Sequence, residues 1–252
     1  MVFKYLILGP CAMGVFSILG KLKTIESDLS SIEEISGSSA GSLIGLLIIL
    51  DISIEDILEI CLQIDVSILT KPNLKNVFSH FGFVGHEEIK KTIKTYWDST
   101  FLELFKKTKK KFHISAYCVN KSSTEYFSVD SHPHMLVADA ICMSISIPFI
   151  FSAFEYNDFH YIDGGTLEEI PGLAFLNKNP DDILVVKISN TYNNYEKITE
   201  VKLFIQLLLN QVLNNRIEYK FEHCFNINLK NINIYNFGMT YEEKIKLFLN
   251  YK

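Results

Sequence analysis

Arginine is nearly missing from this chain of 252 residues: Arg216 is the only one among 24 basic side chains. Bidentate clamps for phosphate or carboxylate are correspondingly scarce. The 29 acidic residues outnumber the basic ones and leave a net charge of −5, which argues against a general nucleic-acid binder. Cysteine is sparse too. Cys11, Cys61, Cys118, Cys142 and Cys224 are widely spaced and odd in number, with no C-x-x-C pair and no Cys/His cluster. Neither a structural zinc nor a disulfide framework is expected, no calcium-binding loop is evident, and a reducing, cytoplasmic setting fits.

Long hydrophobic runs are also lacking. The stretch "YLILGPCAMGVFSILG" after Lys4 is broken by Gly9-Pro10 and is followed by no small-residue cleavage site, so it does not read as a secretory leader. "SLIGLLIIL" stops at Asp51, short of the ~20 residues that span a bilayer. There is no repeat, no low-complexity tract and no Pro/Gly/Ser-rich linker. With 48% hydrophobic and 21% charged residues, 1–252 reads as one soluble globular domain.

What the chain does contain is an alternation of strand and helix signals. "FKYLIL", "IEEIS", "KFHISAYCV", "TEYFSV", "FHYI" and "INIYNF" have strand character, and "ILVVKIS" is a continuous apolar strand of the kind buried on both faces. Helical spacing runs from Val15 to Ile25, through "HEEIKKTIKTYW" and "HMLVADAICMS", and from Thr199 to about Asn215. "SLIGLLIIL" is apolar all round and predicts a buried helix. Ser53 is an N-cap, and Thr100–Glu103 and Thr240–Glu243 are capping-box patterns. The alternation predicts an α/β sandwich.

Chemistry concentrates in two stretches. Gly37-Ser38-Ser39-Ala40-Gly41 is a G-x-S-x-G match, with a strand before it and an apolar helix after it. That context is what a nucleophile elbow requires: a tight turn lifts the Ser39 hydroxyl, and the flanking glycines remove Cβ clashes. Taken alone, the match also fits a Gly-rich packing turn. A serine needs a base, and histidine is the usual one. The seven histidines, at 80, 86, 113, 132, 134, 160 and 223, all lie outside Gly-rich turns, and the order expected of an α/β-hydrolase is not met. The second stretch, Asp163-Gly164-Gly165, ends a strand with an aspartate that two glycines free to face a cleft. An ordinary Asp-Gly turn is the bland alternative.

These motifs, in this order, resemble the patatin-like phospholipases. The resemblance rests on the loop Gly9-Pro10-Cys11-Ala12-Met13-Gly14, on the Gly37–Gly41 elbow and on Asp163-Gly164-Gly165, together with the approach "SISIPFIFSAFEYNDFHYIDGG". It implies a three-layer α/β/α sandwich around a mostly parallel sheet, and a Ser39–Asp163 dyad without histidine. The expected activity is phospholipase A-type cleavage of ester-linked fatty acids through an acyl-enzyme, needing no metal and no cofactor. The implied partner is a phospholipid or other lipid ester, with peripheral membrane contact as an option and no nucleic acid. The family's loop, usually G-G-G-x-[KR]-G, supplies the oxyanion hole, which maps here onto Gly9, Cys11, Ala12, Met13 and Gly14, with the Ala40 amide as an additional candidate donor. Three departures stand out: Pro10 has no N–H, Cys11 replaces a glycine, and Met13 replaces the basic residue.

Two further stretches carry double readings. Lys106–Lys111 is a basic cluster, either a solvated helix end or an attractor of anionic lipid. "IPFIFSAF" is mostly core, with one or two residues available to an acyl pocket. Two other functions stay open: a weak or inactive patatin fold that binds lipid or protein, and a serine esterase or acyltransferase on non-lipid esters.

Overall fold

The strand that "ILVVKIS" predicts shows how the layers form. Along it, Leu184 and Val186 join a large core on one face of the sheet, while Ile183 and Val185 join a smaller core on the other. Its neighbour alternates the same way, with Leu6 and Leu8 on the large-core face and Ile7 on the opposite one. A strand buried on both faces has no polar side to show, hence the unbroken apolar run. The structure is a computed structural model that describes residues 2–64, 81–191, 216–230 and 232–251.

In chain order the strands are β1 (Tyr5–Leu8), β2 (Glu34–Ser38), β3 (Gly82–Val84), β4 (Lys111–Cys118), β5 (Ser123–Phe127), β6 (Phe149–Phe151), β7 (Phe154–Tyr156), β8 (Phe159–Asp163), β9 (Ile183–Thr191) and β10 (His223–Lys230). The helices among the described residues are α1 (Val15–Lys23), α2 (Ala40–Ile49), α3 (Ile54–Gln63), α4 (Glu87–Tyr96), α5 (Phe101–Thr108), α6 (Val137–Ser144) and α7 (Tyr241–Leu249). The main sheet has the order β10-β9-β1-β2-β4-β8-β7, with β5 also on β4; β3 and β6 pair separately. The run β10-β9-β1-β2-β4 is parallel, and β5, β8 and β7 are antiparallel additions. The sheet is therefore mixed, and parallel where it carries the site.

The caps form as their sequence dictates. Ser53 Oγ accepts the Asp56 amide at 3.1 Å, and both Thr100/Glu103 and Thr240/Glu243 close full capping boxes. Helix α2 is buried nearly all round. Helix α6 starts at Val137, later than "HMLV" suggests. One strand expectation is wrong: "INIYNF" forms turns, and the strand beside β9 is instead "HCFNINLK". Both windows alternate apolar and polar residues, so their pattern cannot rank them. The helix expected from Thr199 to about Asn215 lies outside the described residues. Among the described residues no helix is long and apolar enough to cross a membrane.

Candidate active site

The register on β4 decides what meets at the centre. Ser38, the last residue of β2, pairs with Ser115 of β4. Asp163, the last residue of β8, pairs with Ala116, the next position along. The other edge of β4 is filled by β5 at both positions, Tyr126 opposite Ser115 and Glu125 opposite Ala116. So β2 and β8 lie on the same edge of β4, run in opposite directions and end against each other. Ser39 and Asp163, 124 residues apart in their numbering, leave these two ends together.

Ser39 has φ 54° and ψ −134°, a strained left-handed backbone that bulky residues avoid. It is the serine that takes the positive φ, and no described glycine does. The flanking glycines are needed for close approach: a Cβ on Gly41 would stand 2.5 Å from the Leu8 carbonyl oxygen, and one on Gly37 2.7 Å from Ser42 Cα. Two further bonds hold the turn. The Ser39 amide donates to Ser144 Oγ at 2.8 Å, and Ser144 Oγ donates to the Ser115 carbonyl at 2.7 Å.

Asp163 is 6% exposed. Its Oδ1 accepts the Gly165 amide at 2.7 Å, while Oδ2 is buried and meets no hydrogen bond of regular geometry. Burial pushes the Asp163 carboxyl up to about 6; the neighbouring Ser39 hydroxyl, the Gly165 amide and the Arg216 charge each hold it down. The Ser39 hydroxyl thus lies near enough to stabilise the carboxylate without forming a well-aligned bond in the resting site. Arg216 Nη1 donates to the Gly165 carbonyl at 3.3 Å, which puts the chain's only arginine behind the Asp163 turn.

The 9–14 loop packs over both motifs. A Cβ on Gly165 would sit 2.7 Å from Pro10 Cβ, so the proline ring rests directly on the Asp-Gly-Gly turn. Three loop amides are already committed: Gly9 to Val186 O at 3.1 Å, Met13 to Ile234 O at 3.0 Å and Gly14 to Cys11 O at 2.8 Å. The Cys11 and Ala12 amides have no acceptor among the described residues, and neither does Ala40 at the start of α2. Ala12 has φ 43°, so strain lies on both sides of the site. Beside Ser39 opens a cavity of ≈ 110 Å³ whose walls include Ala12, Met13, Phe16, Leu43, Ile147 and Phe151. Ile147 and Phe151 come from the "IPFIFSAF" stretch. Lys244 of α7 also lines it.

Histidine stays out of this arrangement. His86 is buried, 2.8 Å from Ser146 Oγ and stacked on Phe151, and burial lowers its pKa to about 4. Ser146 Oγ donates to Cys142 O at 2.7 Å, so it accepts from His86 Nε2–H; the Ser146 carbonyl in turn accepts the Asp163 amide at 2.9 Å. His86 thus braces the strand behind Asp163. The basic cluster sits at the start of β4, the far end of the sheet from Ser39. There Lys110 pairs with Asp51 at 2.9 Å, Lys111 pairs with Asp130 at 2.7 Å, and Lys107 lies over Trp97. Asp181, Glu222 and His223 bring three possible metal ligands together at that same far end, on the surface.

A family model for patatin-like phospholipases matches residues 6–176. The chain belongs to the patatin-like phospholipase family. It is 28% identical to the uncharacterized protein R571 of Acanthamoeba polyphaga mimivirus, over 71% of this chain and 68% of that one. It is 29% identical to the "Probable lipid hydrolase 463L" of Invertebrate iridescent virus 6, over 67% of this chain and 62% of that one. Its fold is similar to that of VipD from Legionella pneumophila (TM-score 0.64, 15% identity, 100% of this chain and 66% of that chain). It is also similar to that of the type III effector ExoU (TM-score 0.51, 15% identity, 99% and 51%). The chain thus spans less than two thirds of the iridescent-virus relative and of VipD.

Ser144, Ser146, His86, Arg216 and Lys244 had no visible role in the sequence. Only Arg216 carried a signal, its rarity.

Proposed function

We propose that this chain is a lipid acyl hydrolase of phospholipase A type, with Ser39 as nucleophile and Asp163 as general base. The reading rests on one observation above all: the Ser39 hydroxyl acts on the buried carboxyl of Asp163, at the edge of an apolar cavity. Family membership and the named lipid hydrolase among its relatives support the substrate class.

Asp163 takes the hydroxyl proton as Ser39 Oγ attacks the ester carbonyl carbon. The oxyanion is held by the Cys11, Ala12 and Ala40 amides, with the α2 N-terminus behind them. As the carbon–oxygen ester bond breaks, the leaving alcohol recovers the proton from Asp163 and the acyl group stays on Ser39. Asp163 then deprotonates a water, which attacks the acyl-enzyme; the fatty acid leaves and Ser39 regains its proton. A carboxyl at about 6 is a far better base at neutral pH than an ordinary aspartate, and still mostly ionised. Every step uses groups of the chain itself, so ester hydrolysis is expected to survive EDTA. An activity lost to chelator and restored by calcium contradicts the mechanism.

The test is labelling by a fluorophosphonate probe. Wild type should label, and Ser39→Ala and Asp163→Ala should not, each variant melting as a folded protein. A second reading is a catalytically weak lipid-binding module. It is favoured by one observation, that Pro10 and the committed amides of Gly9, Met13 and Gly14 leave the loop only two donors. A wild-type protein that binds lipid but never labels would establish it.

A further inference from the structure

Lys244 is an unusual wall for an acyl pocket. It lines the cavity with Ser39, yet every other lining residue except Ser39 is apolar. It lies on the inward face of α7, one turn before the buried Leu247 and Phe248. Its Nζ stands 5.8 Å from the centroid of Phe16, itself part of the cavity wall. Its charge is felt at Cys61, another lining residue, where it opposes the upward pull of burial on the thiol. Among the described residues no carboxylate lies within ion-pair distance of this ammonium, although nine other lysines form such pairs in the protein.

Local stability does not account for it either. A cation in the first turn of a helix opposes the macrodipole. Glu242 and Glu243 precede it there and are exposed, and Glu243 is tied into the Thr240 capping box. Nor does the 9–14 loop bring a cation to the cavity, since Met13 stands at its basic position.

We infer that Lys244 is an anion-binding residue of the substrate pocket, placed to pair with the phosphate of a glycerophospholipid whose acyl ester is at Ser39. In such a lipid the ester carbonyl and the phosphate are a few bonds apart on one glycerol, so one small cavity edged by both a nucleophile and an ammonium suits the two groups together. The pairing selects phospholipid over neutral glyceride. It rests on the phospholipase reading above and adds the headgroup class to it.

The experiment measures binding, so it does not depend on turnover. In a Ser39→Ala background, the affinities of a medium-chain monoacylglycerol, its 3-phosphate and the matching free fatty acid are compared by calorimetry. The phosphate ligand should bind about tenfold tighter than the monoacylglycerol, as one charge-assisted contact allows. Adding Lys244→Met should erase that preference, and Lys244→Arg should keep it. Equal affinity for the phosphate and the monoacylglycerol overturns the inference without any Lys244 variant. So does a preference confined to the fatty acid, or a Lys244→Met protein that weakens both glycerol ligands alike. Hydrolysis of a neutral ester by the wild type reports separately on the phospholipase reading.

Discussion

At Asp163, function and stability pull in opposite directions. Its pKa is about 6 in the folded protein against 3.8 for the free side chain. Between these values the folded chain holds a proton that the unfolded chain has lost, so stability falls as pH rises from about 4 to about 6, by ~3 kcal/mol in total. Asp163→Asn should therefore melt higher than wild type at pH 7, by several degrees, and the gain should vanish near pH 4; calorimetry at both pH values decides this. The proposed mechanism needs the ionised form, so activity should fall as pH drops through about 6. Arg216 holds the pKa down, and Arg216→Gln should move that acid limb to higher pH. An unmoved limb in a folded variant means the charge is felt elsewhere. Ser38, next to the proposed nucleophile, offers a control. Its hydroxyl is buried without a partner among the described residues, so Ser38→Ala loses no hydrogen bond and should not lower Tm, with turnover within about twofold of wild type.

At the scale of elements, the elbow and the 9–14 loop are one interlocked unit. Gly41 gives space to the carbonyls of Leu8 and Gly9, at 2.5 and 2.7 Å from where its Cβ would be. Gly41→Ala must push that loop away from the serine. About 3 kcal/mol of stability and ~100-fold in kcat should go with it, since a displacement of an ångström at a reacting centre costs that much. A Gly41→Ala enzyme with wild-type kcat would show that the loop amides do not serve the oxyanion. These elements were legible because their signals are local: glycine spacing, a strand before, an apolar helix after. What was not legible depends on register. Nothing near Ser144 announces that it will hold the Ser39 amide, 105 residues away. The choice between "INIYNF" and "HCFNINLK" was equally hidden, because β9 has one free edge and the alternating pattern does not say which segment takes it.

Across the whole molecule, the site is finished by chain beyond the family match, which ends at residue 176. Val186 of β9 accepts the Gly9 amide, and Ile234 accepts that of Met13. Phe237 and Lys244 then close the cavity wall. The segment after β10 also packs on the large core: Ile234, Tyr235, Leu247 and Phe248 are each 5–7% exposed. Burial of side chains of this size contributes roughly 1.5–3 kcal/mol each, so the four together supply roughly 6–12 kcal/mol. That is as large as the whole stability of a typical domain, about 5–15 kcal/mol. A chain ending at residue 231 should thus lack a cooperative melt and a near-UV circular dichroism spectrum, even though every residue of the family match and of the proposed dyad is present. Leu247→Ala should be the graded version: folded, with Tm lowered by about 5–15 °C for a loss of about 2–5 kcal/mol. A chain of 231 residues that melts cooperatively at the wild-type temperature and still hydrolyses esters would mean that the loop and cavity stand without their C-terminal wall.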